Sequence, residues 1–123
     1  MTSAAELRQI VSSLPETEER ETWGHPTFRV RAKMFATLSD DGQQASIKAS
    51  RQEQAALLAT DPETFGVPAY VGQHGWVSVK LATVNLGELH ELLVEAWRQT
   101  APRRLVSAYD AGQPRAGRPG QRS

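Results

Sequence analysis

The chain has 123 residues, of which 14 are basic and 14 acidic, and it contains no cysteine. That length suits one domain with a single hydrophobic core. The composition excludes disulfides, thiolate catalysis and cysteine-based zinc sites, and no apolar run approaches the ~20 residues that span a bilayer.

The first predicted element is a helix that begins at a capping box. Ser3 and Glu6 have the spacing at which the serine hydroxyl and the glutamate each accept a hydrogen bond from a free backbone amide. The apolar residues that follow at helical spacing are Leu7, Ile10, Val11 and Leu14. Pro15 then ends the helix.

Four strands are predicted between residues 16 and 49. The acidic residues 16–21 fit an edge strand, because charge on an edge discourages pairing between sheets. Residues 27–31, 34–38 and 44–49 alternate apolar and polar side chains, which predicts a meander with one buried and one wet face. Met34, Ala36 and Leu38 are expected on the buried face. The predicted turns are Ala32-Lys33 and Asp40-Asp41-Gly42.

The second half of the chain holds two more predicted helices and one strand. Ser50 caps a helix, and residues 65–69 read as a loop. Residues 76–81 form a strand, with Trp76, Ser78 and Lys80 on its polar side. Asn85 caps the last helix. The apolar stripe of that helix is Leu86, Leu89, Leu93, Ala96 and Trp97.

The element order α-β-β-β-β-α-β-α predicts an α+β two-layer sandwich, with one mainly antiparallel sheet and helices packed on one face. We expect one domain over residues 1–110. Residues 111–123 are rich in Gly, Pro, Arg and Gln and are predicted to be a disordered basic tail. From residue 101 onward the net charge is +4, and the preceding residues carry −4. No secretory signal is visible at the N-terminus, so we expect a cytoplasmic protein.

Two glycine- and histidine-containing segments, residues 23–28 and 70–77, are the first candidate site. We expect them to face each other and to form a small-ligand or enzymatic pocket, in which a histidine pair serves as acid and base. The residues of this candidate pocket are Trp23, His25, Tyr70, His74 and Trp76. No residue stands in a recognisable nucleophile motif, which argues against an enzyme. The alternative is that both histidines are structural.

Basic residues on the predicted strands are the second candidate site. By strand alternation they fall on the wet face or at a hairpin tip, where they supply cations for phosphates and an aromatic ring for stacking. This set comprises Arg29, Arg31, Lys33, Lys48, Lys80 and Trp76. The alternative is that these are ordinary solvent-facing residues, and the net negative charge before residue 101 argues in that direction.

The acidic run offers a third candidate, a metal site of carboxylate ligands. Its members are Glu16, Glu18, Glu19 and Glu21. The histidines lack metal-ligand spacing relative to one another, and acidic runs are more often solvated surfaces. We therefore expect no metal and no cofactor.

Roughly residues 3–106 resemble the MmcQ/YjbR family. The segments that carry the resemblance are Trp-Gly-His-Pro-Thr-Phe-Arg-Val at 23–30, Lys-Met-Phe-Ala at 33–36, Tyr-Val-Gly-Gln-His-Gly-Trp-Val at 70–77 and Ala-Pro-Arg-Arg-Leu at 101–105. The resemblance implies a small bacterial cytoplasmic protein with a CyaY (frataxin)-like fold that binds DNA through basic β-hairpin wings, and by analogy with frataxin it leaves metal binding by the acidic run open. It supplies no established catalytic residues.

From the same resemblance we expect a monomer with DNA as its partner and no membrane contact. One departure concerns the second hairpin. Relatives often have glycine before the lysine of the second strand, where this chain has Arg31-Ala32. The departure argues against a hairpin tip with positive φ, and the extra arginine makes that wing more basic.

Overall fold

The computed structural model describes residues 2–22, 24–69 and 71–112. The helices are α1 (Ala4–Ser12), α2 (Arg51–Thr60), α3 (Leu86–Thr100) and α4 (Arg103–Ala111), with a 3-10 turn at Val71–His74. The strands are β1 (Thr17–Thr22), β2 (His25–Val30), β3 (Lys33–Leu38), β4 (Gln44–Ile47), β5 (Phe65–Gly66) and β6 (Val77–Lys80).

The described strands form one six-stranded sheet in the order β1-β2-β3-β4-β6-β5. Every neighbouring pair is antiparallel, and helices pack on one face of the sheet. The predicted α+β fold with a mainly antiparallel sheet is therefore confirmed. One strand was missed: Phe65 and Gly66 were predicted as a loop, but they pair with Val79 and Ser78. Two residues are too few to show an alternating pattern.

The hydrophobic core lies between the sheet and the helices. Its largest fully buried side chains are Trp97, Phe28, Phe35, Leu7, Ile47, Leu81, Leu89 and Leu93. All three predicted caps are present: Ser3 forms the full capping box with Glu6, and Ser50 and Asn85 each accept hydrogen bonds from first-turn amides. The prediction for Leu86 is wrong, because this residue is 44% exposed. It stands at the first position of α3, and Leu92 takes its place in the buried stripe.

A β-bulge in β3 corrects the predicted alternation of that strand. The register shifts between Phe28 and Arg29, so that Phe28 pairs with Ala36 and Arg29 pairs with Met34. The extra residue is Phe35, and it and Ala36 are both fully buried. Met34 therefore pairs with Arg29 on the polar side of the sheet and does not share a face with Ala36.

The β2–β3 turn also differs from the prediction. Its two central residues are Arg31 and Ala32, with φ of 51° and 70°. Both therefore have the positive φ of a type I′ hairpin, in spite of the missing glycine. Such a turn matches the twist of the flanking strands, and strand pairing holds non-glycine residues in a conformation that they otherwise avoid.

We expect the Ala32→Gly variant to be more stable than the native chain by about 0.5–1 kcal/mol, because glycine removes the steric cost of positive φ. Urea unfolding followed by circular dichroism measures the difference. The matched control is Ala55→Gly, at an exposed position in the middle of α2. There glycine is expected to cost about 1 kcal/mol. A loss of stability in both variants would contradict the turn assignment.

The C-terminal part of the chain continues further as helix than predicted. Residues 103–111 form α4, and Gly112 caps it. The predicted tail therefore overlaps the end of this helix at Ala111, and its residues 113–123 lie outside the described part of the chain. Among the described residues, no helix is long and apolar enough to cross a bilayer.

Candidate nucleic-acid interface

The side of the sheet that faces away from the core carries a row of hydroxyl groups across four strands. We call this side the open face. The register places Thr27 opposite Thr37, Thr37 opposite Ser46, and Ser46 opposite Ser78. Neighbouring strands lie about 4.8 Å apart, so the four hydroxyls form one line. The open face is thus a shallow polar surface rather than a second apolar core.

Arg29 lies along the open face and is held there by three hydrogen bonds. Its Nε donates to Thr27 Oγ1 at 3.3 Å, its Nη2 to Thr22 Oγ1 at 3.2 Å, and its Nη1 to the Ala32 carbonyl at 3.1 Å. Thr27 is fixed in turn, because its hydroxyl donates to the Arg20 carbonyl at 2.6 Å. A guanidinium group has five N–H donors. Two remain for a ligand after these bonds are made.

The open face has the opposite net charge from the rest of the domain. The register and the strand alternation identify the charged side chains of this face. On the described strands they are Arg20, Arg29, Lys80 and Glu18, and Lys48 directly follows β4. Four cations and one carboxylate give this face +3, whereas residues 1–112 together carry −3. Lys48 and Lys80 form no ion pair with any described residue. Positive charge is therefore concentrated on one surface.

The remaining cations of the predicted set lie elsewhere. Arg31 stands in the β2–β3 turn and donates through Nε and Nη2 to the Glu16 carboxylate. Its hydrogen bond lowers the pKa of Glu16, and Glu16 raises the pKa of Arg31. Lys33 pairs with Val30 in the register, so its side chain leaves the sheet on the core side. The predicted basic wing is thus separate from the open face.

Trp76 does not provide a stacking surface. It was predicted on the wet face, but only 7% of its surface is exposed. Its carbonyl accepts a hydrogen bond from Gln54 Nε2 of α2 at 2.5 Å. A buried ring cannot receive a nucleic-acid base without rearrangement of its surroundings. Strand alternation indicates a side of the sheet but not whether other segments cover a side chain there, so the sequence pattern could not reveal the burial of Trp76.

The two histidines are not brought together. His25 begins β2 next to the β3–β4 turn, where its Nδ1 lies 2.6 Å from Asp40 Oδ1. His74 ends the 3-10 turn before β6. In the register the start of β6 pairs with the end of β4, and the end of β6 pairs with the start of β4. This places the histidines at opposite ends of the sheet, so they do not form the predicted acid–base pair. Trp23 and Tyr70 of the predicted pocket lie outside the described residues.

The acidic run is largely neutralised by arginines. Besides the Glu16–Arg31 pair, Glu18 accepts from Arg20, and Glu19 accepts from Arg8 of α1 at 2.9 and 3.0 Å. That contact raises the pKa of Arg8, mainly through the hydrogen bond. Within the described ranges no group of three or more His, Asp or Glu side chains is arranged to hold a metal ion. The alternative of metal binding at this run therefore gains no support.

Not every residue of the open face was predicted from the sequence. Arg20 and Thr37 line the same surface as Arg29 and Ser46, but neither was in the predicted set. Arg20 shares one face of β1 with Glu18 and Thr22 and alternates with Glu19 and Glu21, and this period-two spacing was the signal that could have placed it. Thr37 sits next to the bulge, where alternation in β3 is broken, so only the register identifies it.

The fold and the surface define a class: an α+β protein whose antiparallel sheet is covered by helices on one side and is polar and basic on the other. The YjbR family model matches residues 12–99. The chain belongs to the YjbR family. An uncharacterised protein of Mycobacterium bovis and one of Mycobacterium tuberculosis are each 35% identical to it over 119 residues, which cover 85% of this chain and 92% of theirs.

A solved structure shares the fold. The crystal structure of a Deinococcus radiodurans protein with a DUF419 domain superposes with a TM-score of 0.75. The match covers 100% of this chain and 97% of that one, at 22% sequence identity. The likeness concerns the arrangement of the helices and strands, and the chemistry of the open face has to be argued from this chain's own residues.

Proposed function

We propose that this protein binds nucleic acid through the phosphate backbone, using the open face of its sheet. The observation that carries the proposal is the +3 charge of this face on a domain of net charge −3. A polyanion would approach this face in preference to the helical side, because the potential of the whole surface steers charged ligands. We expect the protein to be cytoplasmic, where nucleic acids are available as ligands.

The side chains of the open face suit phosphate oxygens. Arginine, lysine, serine and threonine are the residue types that commonly contact the nucleic-acid backbone. Arg29 is already oriented, so it loses little conformational freedom on binding. Register extended by one residue places Lys48 opposite Trp76, about 13 Å along the strands from Lys80 at ~3.3 Å per residue. That span corresponds to about four phosphates of one strand.

The same residues favour backbone contact over recognition of bases. On the described strands, the open face carries no aromatic side chain that could stack on a base. The predicted stacking residue is buried. Contacts of this kind position a protein on nucleic acid without reading sequence, so we expect binding to be similar for unrelated duplex sequences.

We expect Lys48→Ala with Lys80→Ala to weaken binding by roughly tenfold or more at 50 mM salt and to lower the salt slope by about two, one for each lost phosphate contact. The native protein, with about four phosphate contacts, should lose roughly 100-fold in affinity between 50 and 200 mM salt. Fluorescence anisotropy with a labelled duplex measures both quantities.

The matched control is Arg103→Ala with Arg104→Ala. It removes the same charge from two exposed residues at the start of α4, on the helical side of the molecule. The basic residues beyond 112 are present in both variants, so the comparison isolates the open face. An equal loss of affinity in both variants would reduce the effect to net charge, and an unchanged salt slope in the Lys48/Lys80 variant would contradict the proposal.

A further inference from the structure

A groove of about 930 Å³ runs along the helical side of the molecule, opposite the open face. It is lined by residues of α2 and α3, together with Tyr109 and Asp110 of α4. Leu57, Leu92 and Val94 contribute apolar surface to it. We call it the helical groove. Its volume falls within the range of ligand-binding clefts.

The rim of the helical groove is strongly acidic. Its carboxylates are Glu53, Glu88, Glu91, Glu95 and Asp110, and Arg98 is its one cation. The net charge is therefore −4. Only Asp110 is paired within the described residues, with Arg98 Nη2 at 2.6 Å. A groove of this charge repels nucleic acid and attracts a cationic chain.

Three of these carboxylates form a single stripe on α3. Glu88, Glu91 and Glu95 are spaced at i, i+3 and i+7, so their side chains project from one side of the helix. Like charges at this spacing destabilise a helix by a few tenths of a kcal/mol per pair. A cation bound along the stripe would remove that repulsion, which gives the groove a preference for an extended basic ligand.

The described part of the chain ends beside the helical groove, and the sequence that follows it is basic. Tyr109 packs on Trp97 with ring centroids 5.0 Å apart, and Arg98 lies 6.0 Å from the Tyr109 ring. These contacts hold the C-terminal end of α4 against the groove. Gly112, the last described residue, therefore lies near Asp110 at the groove. The following residues 113–123 contain three arginines, Arg115, Arg118 and Arg122, and no acidic residue.

We propose that residues 113–123 bind in the helical groove of the same molecule. Eleven extended residues span up to about 36–40 Å, whereas α3 with its 15 residues is about 22 Å long. The segment is therefore long enough to reach the whole stripe from Glu95 to Glu88. Its tether also raises its effective concentration at the groove to the millimolar range, which favours it over a basic segment of another protein.

The absence of cysteine allows a direct test on the full chain. A nitroxide spin label on Ser123→Cys broadens the amide resonances of nearby residues. We expect roughly half or more of the signal of Glu91 and Glu95 to be lost at ~50 mM salt and restored at ~500 mM, where exposed charges are screened. The signals of Ser46 and Ser78 on the open face should not change.

A charge variant separates docking from chance proximity. Glu91→Gln with Glu95→Gln should abolish the broadening in α3. The control Glu21→Gln with Glu63→Gln removes two exposed carboxylates outside the groove and should leave it intact. Three results would overturn the proposal: no broadening in the groove, the same loss in both variants, or broadening that appears only between a labelled and an unlabelled copy. None of them depends on nucleic-acid binding.

Discussion

Replacing Trp97 with alanine is expected to lower the free energy of unfolding by about 3–5 kcal/mol. Trp97 is fully buried in α3, at the centre of the core between the sheet and the helices. Its indole Nε1 donates to the Pro15 carbonyl at 3.1 Å, and its ring packs on Tyr109 of α4. The alanine variant therefore leaves a cavity, an unpaired carbonyl and a weakened anchor for α4.

Urea unfolding followed by far-ultraviolet circular dichroism measures this loss. Trp97→Phe is the informative companion, because phenylalanine fills most of the space but cannot donate to Pro15. We expect it to cost about 1–2 kcal/mol, the range for a lost buried hydrogen bond with some loss of packing. A cost below about 1 kcal/mol for the alanine variant would contradict the position of Trp97 in the core.

Replacing Gly75 with alanine is expected to cost about 2–4 kcal/mol, the sum of backbone strain and steric overlap. Gly75 has φ of +97°, and an added Cβ would lie 2.7 Å from the Arg51 nitrogen and 2.8 Å from the Ala49 oxygen. These contacts are with backbone at the junction of β4 and α2, which a rotamer change cannot relieve. Gly75 therefore allows the segment that contains His74 to pack closely against the backbone between β4 and α2.

Gly24→Ala is the matched control for this prediction. Gly24 also has a positive φ, +82°, but an added Cβ meets no other described atom within 4 Å. Its cost is expected to be about 1 kcal/mol, from the backbone conformation alone. Thermal unfolding of both variants compares the two sites. Equal destabilisation would mean that the close approach at Gly75 contributes nothing.

Local signals predicted most of the fold. The caps Ser3, Ser50 and Asn85 and the alternation in β2 and β4 identify their elements from a few neighbouring residues, and the structure confirms them. Features that depend on residues distant in sequence were missed. The bulge at Phe35 and the short strand β5 exist only because of the partner strands against which they pair.

The same distinction applies to the site. Alternation within a strand placed Arg29, Lys48 and Lys80 on the polar side of the sheet, where the register has them. It could not show that the segments containing His25 and His74 lie at opposite ends of that sheet, since this follows from the order of β4 and β6. Nor could it show that Arg31 pairs with Glu16, a contact between residues 15 positions apart.

An NMR titration of the full chain with a short DNA duplex identifies the surface that contacts nucleic acid. We expect chemical-shift changes that saturate and are concentrated at Thr37, Ser46, Lys48 and Ser78 on the open face, with little change at the buried α3 residues Leu93 and Ala96. The shifts should diminish as the salt concentration rises, because phosphate contacts release bound counterions. Shifts confined to the helical side, or none at millimolar duplex, would contradict the assignment of the open face as a nucleic-acid interface.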